Sequence, residues 1–304
     1  MEYPRSFTNQ VVPVPVQEYE FNPHPYEERQ TIIDELVRLA KEAKIQGSSP
    51  PKTLFFDDMS EICADIKAGA TSWRALHIIY NFEDGDDPVA NFWVNMRNAQ
   101  AVRNRLKMSV ELLTWLINNA ARKYNKGKVE NPVHILSLAA GSAQGVLEAV
   151  ARAEINGICV RVTLIDTDKN ASAIVTKNIE RFGVRSVVEF ISDTASKFTK
   201  YVDMQNVDIV EMLGWMDYLN NTFAKRVVQT IGREMSNGTH FITCHIHDNP
   251  ERGFLTHVIE WGEKPYMHYR SVAELEEILL FGNFAATQVL TEPHGIHSIA
   301  VCRK

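Results

Sequence analysis

The chain has 304 residues, of which 45% are apolar and 23% charged, with a formal net charge of -6. That length holds one large domain or two modest ones, and the balance excludes a disordered or fibrous class. The acidic excess repels phosphate backbones, so no nucleic-acid partner is expected. No apolar run approaches the roughly 20 residues a membrane-crossing helix needs, so no membrane partner is expected either.

The opening MEYPRSFTNQVVPVPV lacks the apolar core of a signal peptide, which points to a cytoplasmic protein. Pro4, Pro13, Pro15, Pro23 and Pro25 make residues 1–25 an extended arm, because proline fixes φ and removes a donor. Residues 26–44 carry Ile32, Ile33, Leu36, Leu39 and Ala40 at helical spacing. GSSPP then breaks the chain. A second helix is expected over 57–68, with Met59, Ile62, Cys63 and Ile66 on one face. NFEDGDDP (81–88) reads as a polar turn. Residues 89–124 form a long helix with room for one break, since Phe92, Met96, Ala99, Val102, Leu106, Val110, Leu113 and Ile117 recur every three or four positions. NKGKVENP (125–132) reads as a linker. Residues 1–130 are thus an arm and a helical cap region, with a long amphipathic helix that also suits a homodimer.

From residue 133 the pattern changes. Short β-branched runs alternate with helical ones: VHILSLAAG, SAQGVLEAVARAEIN, VRVTLID, NASAIVTKNIERFG, VVEFISD, VDIVEML, a helix over 223–235, then THFITCHI. Such alternation marks βαβ units and a parallel sheet. A helix over 271–281 precedes strands FAATQVL and IHSIAVC, whose short turn makes them antiparallel neighbours. The expectation for 131–304 is an α/β domain with a seven-stranded, mostly parallel sheet ending in an antiparallel hairpin. Cys63, Cys159, Cys244 and Cys302 form no CxxC pair, so they read as buried thiols, without a disulfide framework or zinc knuckle.

Ligands of open α/β sheets bind at the carboxyl ends of the strands. Three features fall there. The first is the small-residue run Ala139, Ala140, Gly141, Ser142, Ala143, Gln144, which lets a ligand approach backbone and the N–H groups of a helix start. The second is Asp166, closing the second strand with Thr167 beside it, placed to accept both hydroxyls of a ribose; Asp168 is better placed to cap the next helix. The third is Asp193, with Thr194, after the third strand, a position for an acceptor facing an adenine amino group.

The run from His134 to Phe198 resembles motifs I to III of the class I S-adenosylmethionine (SAM)-dependent methyltransferases. It is also similar to a poorly characterised bacterial group within them. The resemblance covers nearly all of 133–304. It implies a Rossmann-like sheet, SAM as cofactor and methyl transfer as the reaction. It also implies that the glycine loop packs the methionine part of SAM, Asp166 the ribose and Asp193 the adenine. The usual GxGxG loop is reduced to Gly141, with Ala139 and Ala143 replacing glycines and Ser137 standing where strand one usually carries an acid. Alanine's methyl predicts φ below zero at 139 and 143. An NAD-linked oxidoreductase would want GxGxxG, which the sequence lacks.

Candidate catalytic groups cluster after strands four and five. Glu211 ends an apolar run and faces the site, with Tyr218 beyond it; Glu211 also counts among the cofactor contacts. The Glu211-Met212-Leu213-Gly214 loop is faintly similar to the first acidic loop of protein arginine methyltransferases, whose second glutamate is here Asn220. The NPPY-type tetrapeptide of amino-methylating nucleic-acid enzymes is missing. His245 and His247 share one strand face: a general base near neutral pH, or metal ligands with Asp248, or, as the simplest reading, solvent-facing groups at a strand end. No metal site is expected. Of Arg97, Arg103 and Arg105, Arg103 is taken as the partner for SAM's carboxylate. Trp73, Tyr80, Phe82, Phe92 and Trp93 are mostly core, some lining a lid, while Trp261, Tyr266 and Tyr269 fall in a segment that can contact substrate. His294 and His297 are expected at the surface. The leading reading is methyl transfer to a small-molecule acceptor; transfer of an aminocarboxypropyl or aminopropyl group, or SAM binding without catalysis, are the alternatives.

Overall fold

A computed structural model describes residues 26–48, 59–262 and 267–304. The expected arm (1–25), most of the GSSPP break, the first residues of the second expected helix and Tyr266 lie outside them. Among the described residues five helices come first: α1 (Tyr26–Ile45), α2 (Glu61–Ala68), α3 (Trp73–Tyr80), α4 (Pro88–Trp93) and α5 (Arg97–Tyr124). Local chemistry sets their starts. The Ser60 and Ser72 hydroxyls accept backbone N–H bonds at the heads of α2 and α3. Asp87 caps α4 by accepting from Val89 and Ala90, with Pro88 in the first turn. The long helix expected over 89–124 does break once, between α4 and α5. Met59 falls outside α2 and is exposed, while Cys63 and Ile66 are buried as expected.

The start of α5 lacks a cap of its own, since Met96 offers no side-chain acceptor. Glu251 supplies one from far along the chain. Its carboxylate accepts from Arg97 N at 3.0 Å and Asn98 N at 2.8 Å. A carboxylate at this end also complements the helix dipole.

The second half alternates as expected: β1 (Val133–Leu138), α6 (Gln144–Ile155), β2 (Val160–Asp166), α7 (Ala171–Phe182), β3 (Val187–Ser192), the single turn α8 (Phe198–Tyr201), β4 (Ile209–Met212), α9 (Asn221–Glu234), β5 (His240–Ile246), α10 (Arg252–His257), α11 (Val272–Leu279), β6 (Ala286–Thr291) and β7 (His297–Arg303). Ser271 and Glu274 form a reciprocal capping box at the head of α11. The seven strands lie in the order β3-β2-β1-β4-β5-β7-β6. The first five are parallel, and β7 is antiparallel to both β5 and β6.

One face of the sheet packs under α5, α6 and α7 through residues such as Leu113, Leu116, Leu147, Val150 and Val175. The other packs under α9 and α11 through Val228, Ile231, Leu275 and Ile278. The helix α5 thus belongs to the sheet's own layer along much of its length. A third cluster joins α1–α4 and the start of α5 to Phe254, Val258, Ile259 and Trp261 from the segment after β5. Cys63, Cys244 and Cys302 are buried, Cys159 is half-buried, and all four are free thiols. No helix among the described residues is long and apolar enough to cross a membrane.

Candidate functional site

The strand order reverses between β1 and β4, so the connections that follow them leave to opposite faces of the sheet and a crevice opens outside their carboxyl ends. The turn after β1 opens there. Its backbone is fixed by Ala140 N donating to Ile165 O (3.1 Å) and Ala143 N to Ala140 O (2.8 Å). These bonds force Ala139 to φ +55° and Ala143 to φ +51°. This corrects the expectation of negative φ: the hydrogen bonds and flanking elements outweigh the roughly 1–2 kcal/mol that L-residues pay in that region. Gly141 has φ +52°, and a Cβ on it would lie 2.8 Å from the Cβ of Trp73, so both conformation and packing require glycine.

Relieving the strain at Ala139, which is only half-buried, gives a clear expectation. Ala139→Gly should raise unfolding stability by about 1 kcal/mol. Ala143→Gly should be near neutral, because it also removes a buried methyl worth about 0.8 kcal/mol. Urea unfolding midpoints of the two variants check this; a midpoint lowered by Ala139→Gly would contradict it.

Asp166 ties the turn to β2. Its Oδ2 accepts from Gly141 N at 2.8 Å and its Oδ1 from Asp168 N at 2.8 Å. Each oxygen retains acceptor capacity. Asp168 accepts from the Trp73 indole at 2.8 Å and from Asn170 N at 2.9 Å, so it closes the turn before α7 and anchors α3 in one step. At the other end of α3, Asn81 and Gln144 exchange amide hydrogen bonds of 2.9 and 3.1 Å. The helix α3 therefore lies clamped across the turn.

These groups open on a cavity of about 310 Å³. Of the residues assigned from the sequence to the cofactor or to catalysis, Ala139, Ala140, Gly141, Ser142, Gln144, Asp166, Glu211 and Tyr218 line it. Thr167 is exposed, and Thr167, Asp193, Thr194, Arg103 and His245 are not among the lining residues. Asp193 sits at the rim of the same sheet edge. It accepts from Tyr201 Oη, Lys197 Nζ and Thr194 N, which hold its carboxyl well below the usual carboxylate range. Arg103 turns to the α4–α5 junction, donating to Val94 O at 2.8 Å and Asn95 Oδ1 at 3.1 Å. Arg105 is the arginine at the cavity. It is buried, donates to Tyr80 Oη at 2.9 Å and lies 3.9 Å from Asp217.

The two proposed bases differ in position. Glu211 stands beside Ser137 in the β1–β4 register and accepts from its hydroxyl and from Leu213 N. The acid missing from strand one is thus supplied by the neighbouring strand. Burial pushes the Glu211 carboxyl up to about 7, against those hydrogen bonds and the Arg105 charge. His245 faces the opposite layer, with Nδ1 2.9 Å from Asp217 Oδ1. His247 is held by Arg270 O and Ser298 Oγ, both at 2.6 Å. Both histidines are buried, which corrects the solvent-facing reading: the strand end is covered by the 267–270 segment. Tyr218 takes a 2.9 Å bond from the Trp261 indole, and burial followed by the Asp217 charge pushes its phenol up.

The remaining correction concerns His297. It is buried at 3% exposure and lines the cavity. Proximity to the final turn suggested surface, but Glu292 folds that turn inward by accepting from His294, Ile296 and His297 N–H groups. His294 is half-buried, 3.1 Å from Gln100 Oε1. Sequence reasoning also missed Trp215 as a lining residue, although it sits directly after the acidic loop.

Comparison with known proteins fits this architecture. Residues 117–231 match a family model described as conserved hypothetical protein 95. No curated protein matches the chain. Among solved structures, one of Bordetella parapertussis, described as a possible exported protein, superposes with a TM-score of 0.62 at 14% identity, covering 93% of this chain and 99% of the other. Magnesium protoporphyrin IX methyltransferase of Synechocystis PCC 6803, crystallised with S-adenosylhomocysteine (SAH), gives 0.52 at 12% identity over 83% of this chain and 99% of its own. The methyltransferase domain of the citrinin polyketide synthase gives 0.51 at 12% identity over 96% and 83%.

The chain has the class I methyltransferase fold. In that fold the glycine turn, Asp166 and Glu211 occupy the edge where β1, β2 and β4 end, and α3 covers it.

Proposed function

We propose that this protein is a SAM-dependent methyltransferase acting on a small-molecule acceptor. The observation that carries the reading is the Gly141–Asp166 cradle opening into the same cavity as Glu211. The residues present suit the cofactor. Asp166 keeps acceptor capacity for ribose hydroxyls, Gly141 leaves backbone bare beside it, and Asp193 lies at the end of the next strand. Arg105, rather than Arg103, is the arginine placed to meet a carboxylate within the cavity. When bound, SAM supplies an activated methyl on a sulfonium, whose positive charge is lost as the methyl leaves.

The chain's own residues then have to align the acceptor, exclude water and take a proton. The cavity walls contributed by α3, α5 and the segment after β5 exclude water. Glu211 is the base of this reading, since a carboxyl near 7 is matched to proton transfer at neutral pH. His245 lies outside the cavity and takes no part. A cavity of about 310 Å³ and an acidic chain favour a small acceptor over a polymer.

Isothermal titration of the purified protein with SAM and SAH tests the reading. Binding in the micromolar range is the expected result. Dissociation constants above millimolar for both would overturn it.

A further inference from the structure

Arg105 lines the cavity with its ion pair left open. One terminal nitrogen of the guanidinium lies 3.9 Å from Asp217 Oδ2, too far for a hydrogen bond, although both side chains are buried. Buried opposite charges gain most by closing up, because little water is there to solvate either. Two contacts account for the gap. Asp217 is engaged elsewhere: its Oδ1 accepts from Ile246 N at 3.0 Å and lies 2.9 Å from His245 Nδ1. On the other side, Tyr80 Oη accepts from the second terminal nitrogen of Arg105 at 2.9 Å. The guanidinium also points a long 3.7 Å bond at Cys244 Sγ, a weak acceptor. A guanidinium carries more donors than these two acceptors use. Tyr80 is the last residue of α3, and α3 is clamped across the turn after β1 by Trp73 on Asp168 and by Asn81 on Gln144. The seat of α3 on that turn and the aim of Arg105 are therefore joined through one side chain.

We propose that Tyr80 is a positioning residue for the cofactor: it holds the Arg105 guanidinium away from a closed pair with Asp217 and turned toward the carboxylate of the cofactor's methionine part. The proposal rests on the SAM reading, in which Arg105 meets that carboxylate. A hydroxyl suits the task because it orients the guanidinium without neutralising it, so the full charge is kept for the ligand. Phenylalanine at this position would free the guanidinium to swing onto Asp217, which then competes with the ligand's carboxylate for the same donors.

The test is calorimetry of the whole protein with SAH and with decarboxylated SAH, two ligands that differ only in the carboxylate. The unaltered protein should bind SAH at least about tenfold more tightly than the decarboxylated form. Tyr80→Phe should cut that preference by about fivefold, the loss of one hydrogen bond to a charged group. Tyr80→Phe combined with Asp217→Asn should regain most of it, because the competing carboxylate is gone. Circular dichroism reports that each variant is folded; if the double variant is not, the comparison of Tyr80→Phe with the parent decides. An equal loss for both ligands in Tyr80→Phe, or no loss for either, leaves the preference intact and overturns the proposal. No preference in the unaltered protein removes Arg105 from the carboxylate and Tyr80 from its role, while the SAM reading stands. A preference for the decarboxylated form overturns the proposal and favours aminopropyl transfer. Failure to bind either ligand removes the SAM reading itself, and the proposal with it.

Discussion

Replacing Asp166 by alanine is expected to weaken SAH binding by about 1–3 kcal/mol, a factor of roughly 5 to 150 in the dissociation constant. The carboxylate has two duties. It receives Gly141 N and Asp168 N, so it shapes the turn, and its remaining lone pairs face the cavity. Alanine removes both and leaves two backbone donors without their acceptor. Asp166→Asn keeps one oxygen and should lose less, because either the turn bond or a ribose bond survives. Calorimetry with SAH on variants shown folded by circular dichroism makes the comparison. Undiminished affinity in Asp166→Ala would remove this residue from the cofactor site, and with it the central feature of the proposed function.

Glu211→Gln should change how stability depends on pH. The folded-state carboxyl is raised, from an ordinary 4.5 to about 7, chiefly by burial. The sign follows from linkage. Below pH 4.5 the group is neutral in both states, and the protein has its full stability. As pH rises through 7 the unfolded chain ionises readily while the folded site resists, so stability is lost. Glutamine keeps the shape and the acceptor for Leu213 N but never ionises. Its stability relative to the parent should therefore grow by about 2–3 kcal/mol between pH 5 and pH 8. Urea unfolding of both proteins across that range measures the gap. A gap that stays constant would mean that Glu211 titrates normally, and its role as a neutral-pH base would fall with it.

The alternation from residue 133 onward was legible because strand and helix patterns are local. β-branched runs such as VRVTLID and the 3.6-residue spacing in ASAIVTKNIERF depend on near neighbours alone, and the short turn between β6 and β7 dictates an antiparallel pair. The start of α4 was also local, since Asp87 and Pro88 cap it, whereas the break before α5 is capped from a distance by Glu251. By contrast, α3 escaped notice. Its eight residues are rich in aromatic and β-branched types, and its stability comes from lying against Gly141, Asp168 and Gln144.

The sequence by itself determined the alternation of strands and main helices from residue 133, the seven-stranded sheet and the edge on which Gly141 and Asp166 meet. Only the tertiary structure decided which neighbour of each pair faces inward. Arg103 and Arg105 are two positions apart, about 200° around a helix, so one reaches the cavity and the other cannot. The phase is set at the head of α5 by Glu251, which arrives from residues far along the chain. Strand parity makes the same choice between His245 and His297, which lie on adjacent antiparallel strands yet face opposite layers. Spacing along a chain fixes which residues share a face; what that face meets depends on packing between distant segments, and packing also forced Ala139 and Ala143 into a backbone region their methyl groups disfavour.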